Sequence, residues 1–143
     1  MKTPFEKNRI IRGSFGKLWI DDEKMANVKS FEAKASLDFE DVDVNGDLGQ
    51  KHVYMGYSVA GTVVLHKCDS TIASKYKDGI VSGVLPTVKV VAALDDPAAW
   101  GTERVALYDV TFDEVTLSKF ENKSLTEEEV PFKAGSFEFL DLI

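Results

Sequence analysis

The chain has 143 residues, 44% hydrophobic and 29% charged, with a formal net charge of −7. That length suits one domain with one core, and the composition is too apolar for a disordered chain. The longest apolar run, Val90 to Leu94, is far short of a membrane span, and the acidic balance lacks the basic footprint of a general nucleic-acid binder.

Charge is unevenly placed. In residues 1–12, Lys2, Lys7, Arg9 and Arg12 outnumber Glu6, so a basic N-terminal arm precedes an acidic body. No apolar stretch follows Lys2, so the start does not read as a signal peptide. Gly16 to Ile20 reads as a strand, Asp21 to Lys24 as a turn, and Met25 as the beginning of a longer strand that should pair with the first as a hairpin. Within it, Phe31, Ala33, Ala35, Leu37 and Phe39 alternate with Glu32, Lys34, Ser36, Asp38 and Glu40. Period-two alternation places the apolar set on one face, expected to meet the core, and the polar set on the other. An acidic side chain in place of Leu37 or Phe39 is therefore expected to unfold the subunit. Residues 43–57 carry Asn45-Gly46, Gly49 and Gly56 and read as a long loop, of a kind that is either functional or disordered.

Ser58 to Lys67 is a β-branched strand. The period then changes. Ile72, Ala73, Tyr76 and Ile80 recur at helical spacing, which predicts one amphipathic helix over about residues 70–81, ended by Gly83 and Pro86. Thr87 to Leu94, Glu103 to Phe120 with a bend at Asp113-Glu114, Glu127 to Lys133 and Ser136 to Leu142 read as further strands. The fold class is mainly β: a single domain over residues 1–143, an antiparallel sandwich or barrel with one flanking α-helix.

No motif supports catalysis or metal binding. Asp41-Val42-Asp43-Val44-Asn45-Gly46 opens like an EF-hand loop, but its twelfth position is His52 where calcium needs a bidentate carboxylate, and a strand leads in where a helix is needed. His66 and Cys68 lack further ligands for zinc, and nothing marks Cys68 as a nucleophile. Phosphate-binding and nucleophile-elbow glycine patterns are missing. The run Glu127-Glu128-Glu129 reads as a solvated strand edge. Trp100, in a loop beside Pro97 and Gly101, reads as a contact to another subunit. The residues thus point to neither an enzyme nor a cofactor.

The segment Gly13-Ser14-Phe15-Gly16-Lys17-Leu18-Trp19-Ile20-Asp21-Asp22-Glu23 is similar to the start of tail tube proteins of contractile phages, defective prophages and phage-tail-like bacteriocins, the XkdM-like family. The likeness continues through Val28 to Lys34, the loop at Asn45 to Tyr57, Gly61-Thr62-Val63 and Phe132 to Glu138. It implies a structural subunit forming homo-hexameric rings, stacked into a tube with a channel for DNA or ions. Its partners would be sheath, baseplate and tape-measure proteins, with DNA only as transient cargo and no stable membrane association. It implies a place in a virion or tail-like particle made in a bacterial host's cytoplasm.

Within that frame, Glu32, Lys34, Ser36, Asp38 and Glu40 are expected to face the lumen. Lys7, Arg9, Arg12, Leu48, Val53, Tyr54, Met55, Tyr57 and Trp100 are expected to contact other subunits. Deleting residues 1–12 should then impair polymerisation more than folding. The rival readings are a tube protein of a type VI secretion system, with the same architecture, and a small β-barrel with an enclosed ligand cavity.

Overall fold

A computed structural model describes residues 6–143. Two short 3-10 turns, Lys7–Arg9 and Gly13–Phe15, lead into eight strands and one helix. These are β1 (Gly16–Ile20), β2 (Glu23–Lys24), β3 (Val28–Val42), β4 (Lys51–His66), α1 (Thr71–Ser82), β5 (Val88–Leu94), β6 (Glu103–Phe112), β7 (Glu127–Ala134) and β8 (Ser136–Asp141). All pairings are antiparallel and run β2-β1-β5-β6-β7-β4-β3, with β8 also on β6.

The sheet folds over on itself at β6. Its first half pairs with β8, from Arg104 opposite Asp141 to Tyr108 opposite Ser136. Its last residues, Thr111 and Phe112, pair with Lys133 and Phe132 of β7. Between them Asp109 takes a left-handed conformation, φ 54°. Gly135, which separates β7 from β8, packs against it: a Cβ there would stand 3.1 Å from that of Asp109. This corner divides the chain into two layers, one of β2, β1, β5, β6 and β8, the other of the end of β6 with β7, β4 and β3. Val63, Val130, Phe132, Val110, Leu107 and Ile20 fill the space between them.

Helix α1 closes the core at the β6–β7 side, matching the predicted span within one residue. The Tyr76 ring lies 5.6 Å from that of Phe112, and its hydroxyl accepts the Phe112 N–H at 3.0 Å. Asp69 rather than Ser70 caps the helix, its Oδ1 accepting from the Thr71 N–H at 3.2 Å. The buried face differs by one position: Ile80 is exposed and Gly79 is buried. The chain turns back at Gly83 (φ +86°) and lays Leu85 against Gly79, where a Cβ would meet the Val84 carbonyl at 2.7 Å.

Three expectations are corrected. The β1 strand does not pair with the long strand but with β5, Gly16 opposite Leu94 through Ile20 opposite Val90. Asp21 and Asp22, with φ of 50° and 67°, close a tight hairpin onto β2 alone, as two left-handed residues do in a type I′ turn. The predicted loop over residues 43–57 shrinks to 43–50, because Lys51 to Tyr57 continue β4. Gly56 is not a break but a bulge, with the register shifting between Asp38 and Phe39. Finally, β6 ends at Phe112 rather than Phe120. The Asp113 N–H donates to the Pro131 carbonyl, and Pro131 has no N–H to extend the ladder.

Candidate functional site

Strands β3 and β4 run beyond the layers they belong to. Val59 to His66 pair with β7, whereas Lys51 to Ser58 pair, among the described residues, only with β3. The seven residues of β3 from Ser36 to Val42 therefore form, with their β4 partners, a two-stranded ribbon reaching roughly 23 Å past the body at about 3.3 Å per residue.

The ribbon has two faces. Glu32, Lys34, Ser36, Asp38 and Glu40 are all exposed on one. Their register partners carry that face across β4, with Thr62, Ala60 and Ser58, and onto β7, with Pro131 and Lys133. An ion pair joins Lys34 Nζ to Glu32 Oε1 at 3.0 Å. No helix among the described residues covers this surface. Phe31 stacks on Phe132 at 5.7 Å, Phe132 pairs with Phe112, and α1 packs on Phe112, so α1 lies on the opposite, core side.

The apolar face was expected to meet the core along its whole length. It does so only at Phe31. Leu37 and Phe39 are 54% and 55% exposed. The layer opposite ends first, so beyond Ala35 these side chains find aromatic neighbours but no cover. Phe39 packs edge-on to Tyr54 at 6.0 Å, Tyr57 to Phe137 at 5.4 Å, and Phe137 to Phe139 at 5.4 Å. Of the residues expected between subunits, Leu48, Val53, Tyr54, Met55 and Tyr57 are all exposed on the ribbon or its tip.

The tip is a turn around Asn45 and Gly46 (φ +87°). Asp47 accepts from the Gly49 N–H at 2.9 Å and from Lys51 at 3.3 Å, and these contacts, Gly49 first, hold its carboxyl below the ordinary range. His52 Nδ1 contacts Asp41 Oδ1 across the strands. The EF-hand-like segment is thus a strand end, and no cluster of three metal-ligating side chains exists among the described residues.

Arg9, Arg12 and Trp100 form one cluster within the chain. Arg12 holds Asp96 through Nε at 3.0 Å, Nη2 at 2.9 Å and its backbone N–H at 2.8 Å. Arg9 donates to the Ala98 carbonyl at 3.1 Å and lies 5.5 Å from the Trp100 ring centre. Lys7 is exposed on the first 3-10 turn, and residues 1–5 of the arm lie outside the described residues. Sequence reasoning did not single out Asp96, because Asp95-Asp96-Pro97 reads as a solvated loop.

Between the start of β3 and the β1–β5–β6–β8 layer lies an apolar groove of about 650 Å³, lined by Leu18, Phe31, Ala33, Val105, Phe137 and Phe139 among others. It opens to solvent and joins the apolar face of the ribbon through Phe137.

Comparison with known proteins agrees with this architecture. The chain is 35% identical over 130 residues to the phage-like element PBSX protein XkdM of Bacillus subtilis (strain 168), covering 90% of this chain and 88% of that protein. Its fold is similar, with a TM-score of 0.72 and 12% identity, to a chain of the sheath/tube terminator of PVC, an extracellular contractile injection system, in the extended state. That match covers 92% of this chain and 97% of the other. A chain of the sheath–tube complex of the same system matches with a TM-score of 0.68 and 15% identity over 93% of both chains. The family model described as phage tail tube protein matches residues 3–141, and the chain belongs to that family, as a structural tail tube subunit and not an enzyme.

Proposed function

We propose that this chain builds the inner tube of a contractile phage tail or tail-like particle as stacked homo-hexameric rings around a channel. The observation that carries the reading is the ribbon: one face wet, the other apolar and uncovered in the single chain. Such a surface is an interface waiting for a partner. The outer edge of β3 is a second unfinished feature, since among the described residues β3 ends the strand order and pairs only with β4. A long open edge invites pairing with another chain, and ring closure removes it.

In this reading the wet face of β3 lines the channel, with Glu32, Asp38 and Glu40 prevailing over Lys34. An acidic wall repels phosphates, so DNA passes as transient cargo without adhering. Sheath, baseplate and tape-measure proteins are the further partners, and assembly follows synthesis in the host bacterium's cytoplasm. Negative-stain microscopy of the purified protein over a concentration series tests the proposal. Hollow tubes with six-fold cross-sections are expected; a single-subunit species at every concentration would overturn it.

A further inference from the structure

We propose that the Asn45-Gly46 turn modifies itself: Asn45 deamidates through a cyclic imide with the Gly46 nitrogen, and the product ages subunits that have not assembled. The chemistry stands on the turn alone, while its consequence rests on the tube reading.

The reaction needs a free carboxamide, an unhindered backbone nitrogen after it, and room to close a ring. The turn supplies all three. The Asp47 N–H donates to the Val44 carbonyl at 3.1 Å, and Gly46 (φ +87°) fills the left-handed position that such a turn reserves for glycine. The Gly46 N–H takes no part in that bond. The side-chain contacts of the tip run from Gly49 and Lys51 to Asp47 and between His52 and Asp41, leaving the Asn45 carboxamide to solvent. Every residue from Asp41 to Gln50 is exposed. A Cβ at Gly46 would meet nothing within 4 Å, so the space around the attacking nitrogen is open.

The other asparagines lack this combination. Asn27 donates through Nδ2 to the His66 carbonyl at 2.7 Å, and the β-branched Val28 follows it. Asn8 precedes Arg9 and Asn122 precedes Lys123, whose side chains crowd the nitrogen that would attack. Asp78-Gly79 has the right residue types for the related isomerisation, but Gly79 is buried inside α1, where the helix fixes its N–H.

The step balances without an oxidant or reductant. Water or hydroxide removes the Gly46 N–H proton, and the nitrogen bonds to Asn45 Cγ. The Cγ–Nδ2 bond breaks, and Nδ2 leaves as ammonia with a proton in place of the one removed. Water then opens the ring. Opening at Cγ leaves aspartate; opening at the main-chain carbonyl leaves isoaspartate, with the chain running through Cβ and Cγ. Overall, water is consumed and ammonia released.

Both products add a carboxylate to a tip that already carries Asp41, Asp43 and Asp47 against Lys51 and His52. Like charges so close repel. Isoaspartate also inserts a methylene into the backbone between Val44 and Asp47, the two residues whose bond closes the turn. An old free subunit thus presents a tip of different charge and shape from a fresh one.

The test incubates the freshly purified full chain, too dilute to assemble, at mildly acidic and mildly alkaline pH. Peptide mass mapping follows, with isoaspartyl methyltransferase and a labelled methyl donor as the probe for isoaspartate. Asn45 should show the mass change of amide to carboxyl ahead of Asn8, Asn27 and Asn122, and faster on the alkaline side, because the attacking nitrogen must shed its proton. Asn45→Ser, at an exposed turn, should fold like the parent and stay unlabelled. Aged parent should need a several-fold higher concentration to form tubes than fresh parent, whereas aged and fresh Asn45→Ser should match. No conversion at Asn45, or equal conversion at all the asparagines, overturns the site. Conversion with an unchanged assembly threshold overturns the ageing and leaves the chemistry. Fresh parent that never assembles overturns the tube reading instead, and the mass map still decides the site.

Discussion

Arg12 and Asp96 are joined by three hydrogen bonds from one residue to a single carboxylate that has no exposure to solvent. The Ala98 N–H supplies a fourth at 2.8 Å. These donors favour the charged form, the Arg12 side chain most and the Ala98 N–H next, and they outweigh desolvation, holding the Asp96 carboxyl far below its usual range. The same contact raises the Arg12 guanidinium. Because the folded-state value lies below the unfolded one of about 3.9, the stabilisation is present above about pH 4 and fades as pH falls below it. Asp96→Asn should therefore lower the urea midpoint at neutral pH, and its gap from the parent should narrow as pH falls from about 4 toward 3. A gap that stays constant over that interval would show that the pair carries no linkage.

The same geometry revises the expected behaviour of the arm. Removing residues 1–12 takes away three of the four donors to Asp96 and leaves its carboxylate beneath the loop. An orphaned buried charge destabilises strongly. The truncated subunit should melt several degrees lower before any question of polymerisation arises. Arg9→Ala breaks only exposed contacts, with Ala98, Trp100 and Glu6, and should change stability by less than about 1 kcal/mol. Calorimetry of both variants separates a structural strap from a tether: equal melting temperatures for the truncated and full chains would make the arm a tether.

The exposure of Leu37 and Phe39 reverses another expectation. Since more than half of each side chain meets solvent in the single subunit, Leu37→Asp and Phe39→Asp should fold with melting temperatures within a few degrees of the parent. Assembly should fail, because an unpaired carboxylate would be buried at an interface. Ser36→Asp, on the wet face, should leave both intact. By contrast Phe132→Ala, in the core, should cost about 3–5 kcal/mol. Melting curves and light scattering on the four variants check the pattern; unfolding of Leu37→Asp would place that face in the core after all.

These contrasts show where the sequence is legible. Period-two alternation from Phe31 to Phe39 declares a two-faced strand, and the 3.6 period of Ile72 and Tyr76 declares α1, because both are local patterns. What lies opposite a face is not local. Nothing near Leu37 says that the facing layer stops short, and nothing near Gly16 says that its partner is Leu94 rather than the next strand. Gly56 looks like a loop residue because a bulge and a turn favour the same amino acid. Asp96 looks solvated because its partner, Arg12, is 84 residues away in sequence.

Gly61 is irreplaceable for a reason that alternation alone would miss. It sits on the core face of β4, opposite Ala33 of β3 and Phe132 of β7. A Cβ there would stand 2.7 Å from Phe132 Cζ and 2.9 Å from the Ala33 Cα, beneath the Phe31–Phe132 stack. Neither a ring locked in a stack nor a strand backbone can withdraw without moving others. Gly61→Ala should destabilise by about 1–3 kcal/mol through overpacking, despite the higher strand compatibility of alanine. Chemical denaturation measures it; a stability equal to the parent would mean that β3 shifts freely over β4.

Glu128 is the second buried carboxylate, and its situation is the opposite of that of Asp96. The run Glu127 to Glu129 reads as a solvated edge, yet period two turns the middle residue inward, opposite Leu65. Its Oε2 lies 3.6 Å from Lys67 Nζ, and its Oε1 has no hydrogen-bond partner among the described residues. A buried charge with one long contact and one idle oxygen contributes less than its desolvation removes. Glu128→Gln keeps the shape and an acceptor while removing the charge, so it should raise stability at neutral pH by about 0.5–2 kcal/mol. Urea titration of the variant decides the point. A fall of similar size would mean that the charge itself, through Lys67 just after β4, holds the layers together there.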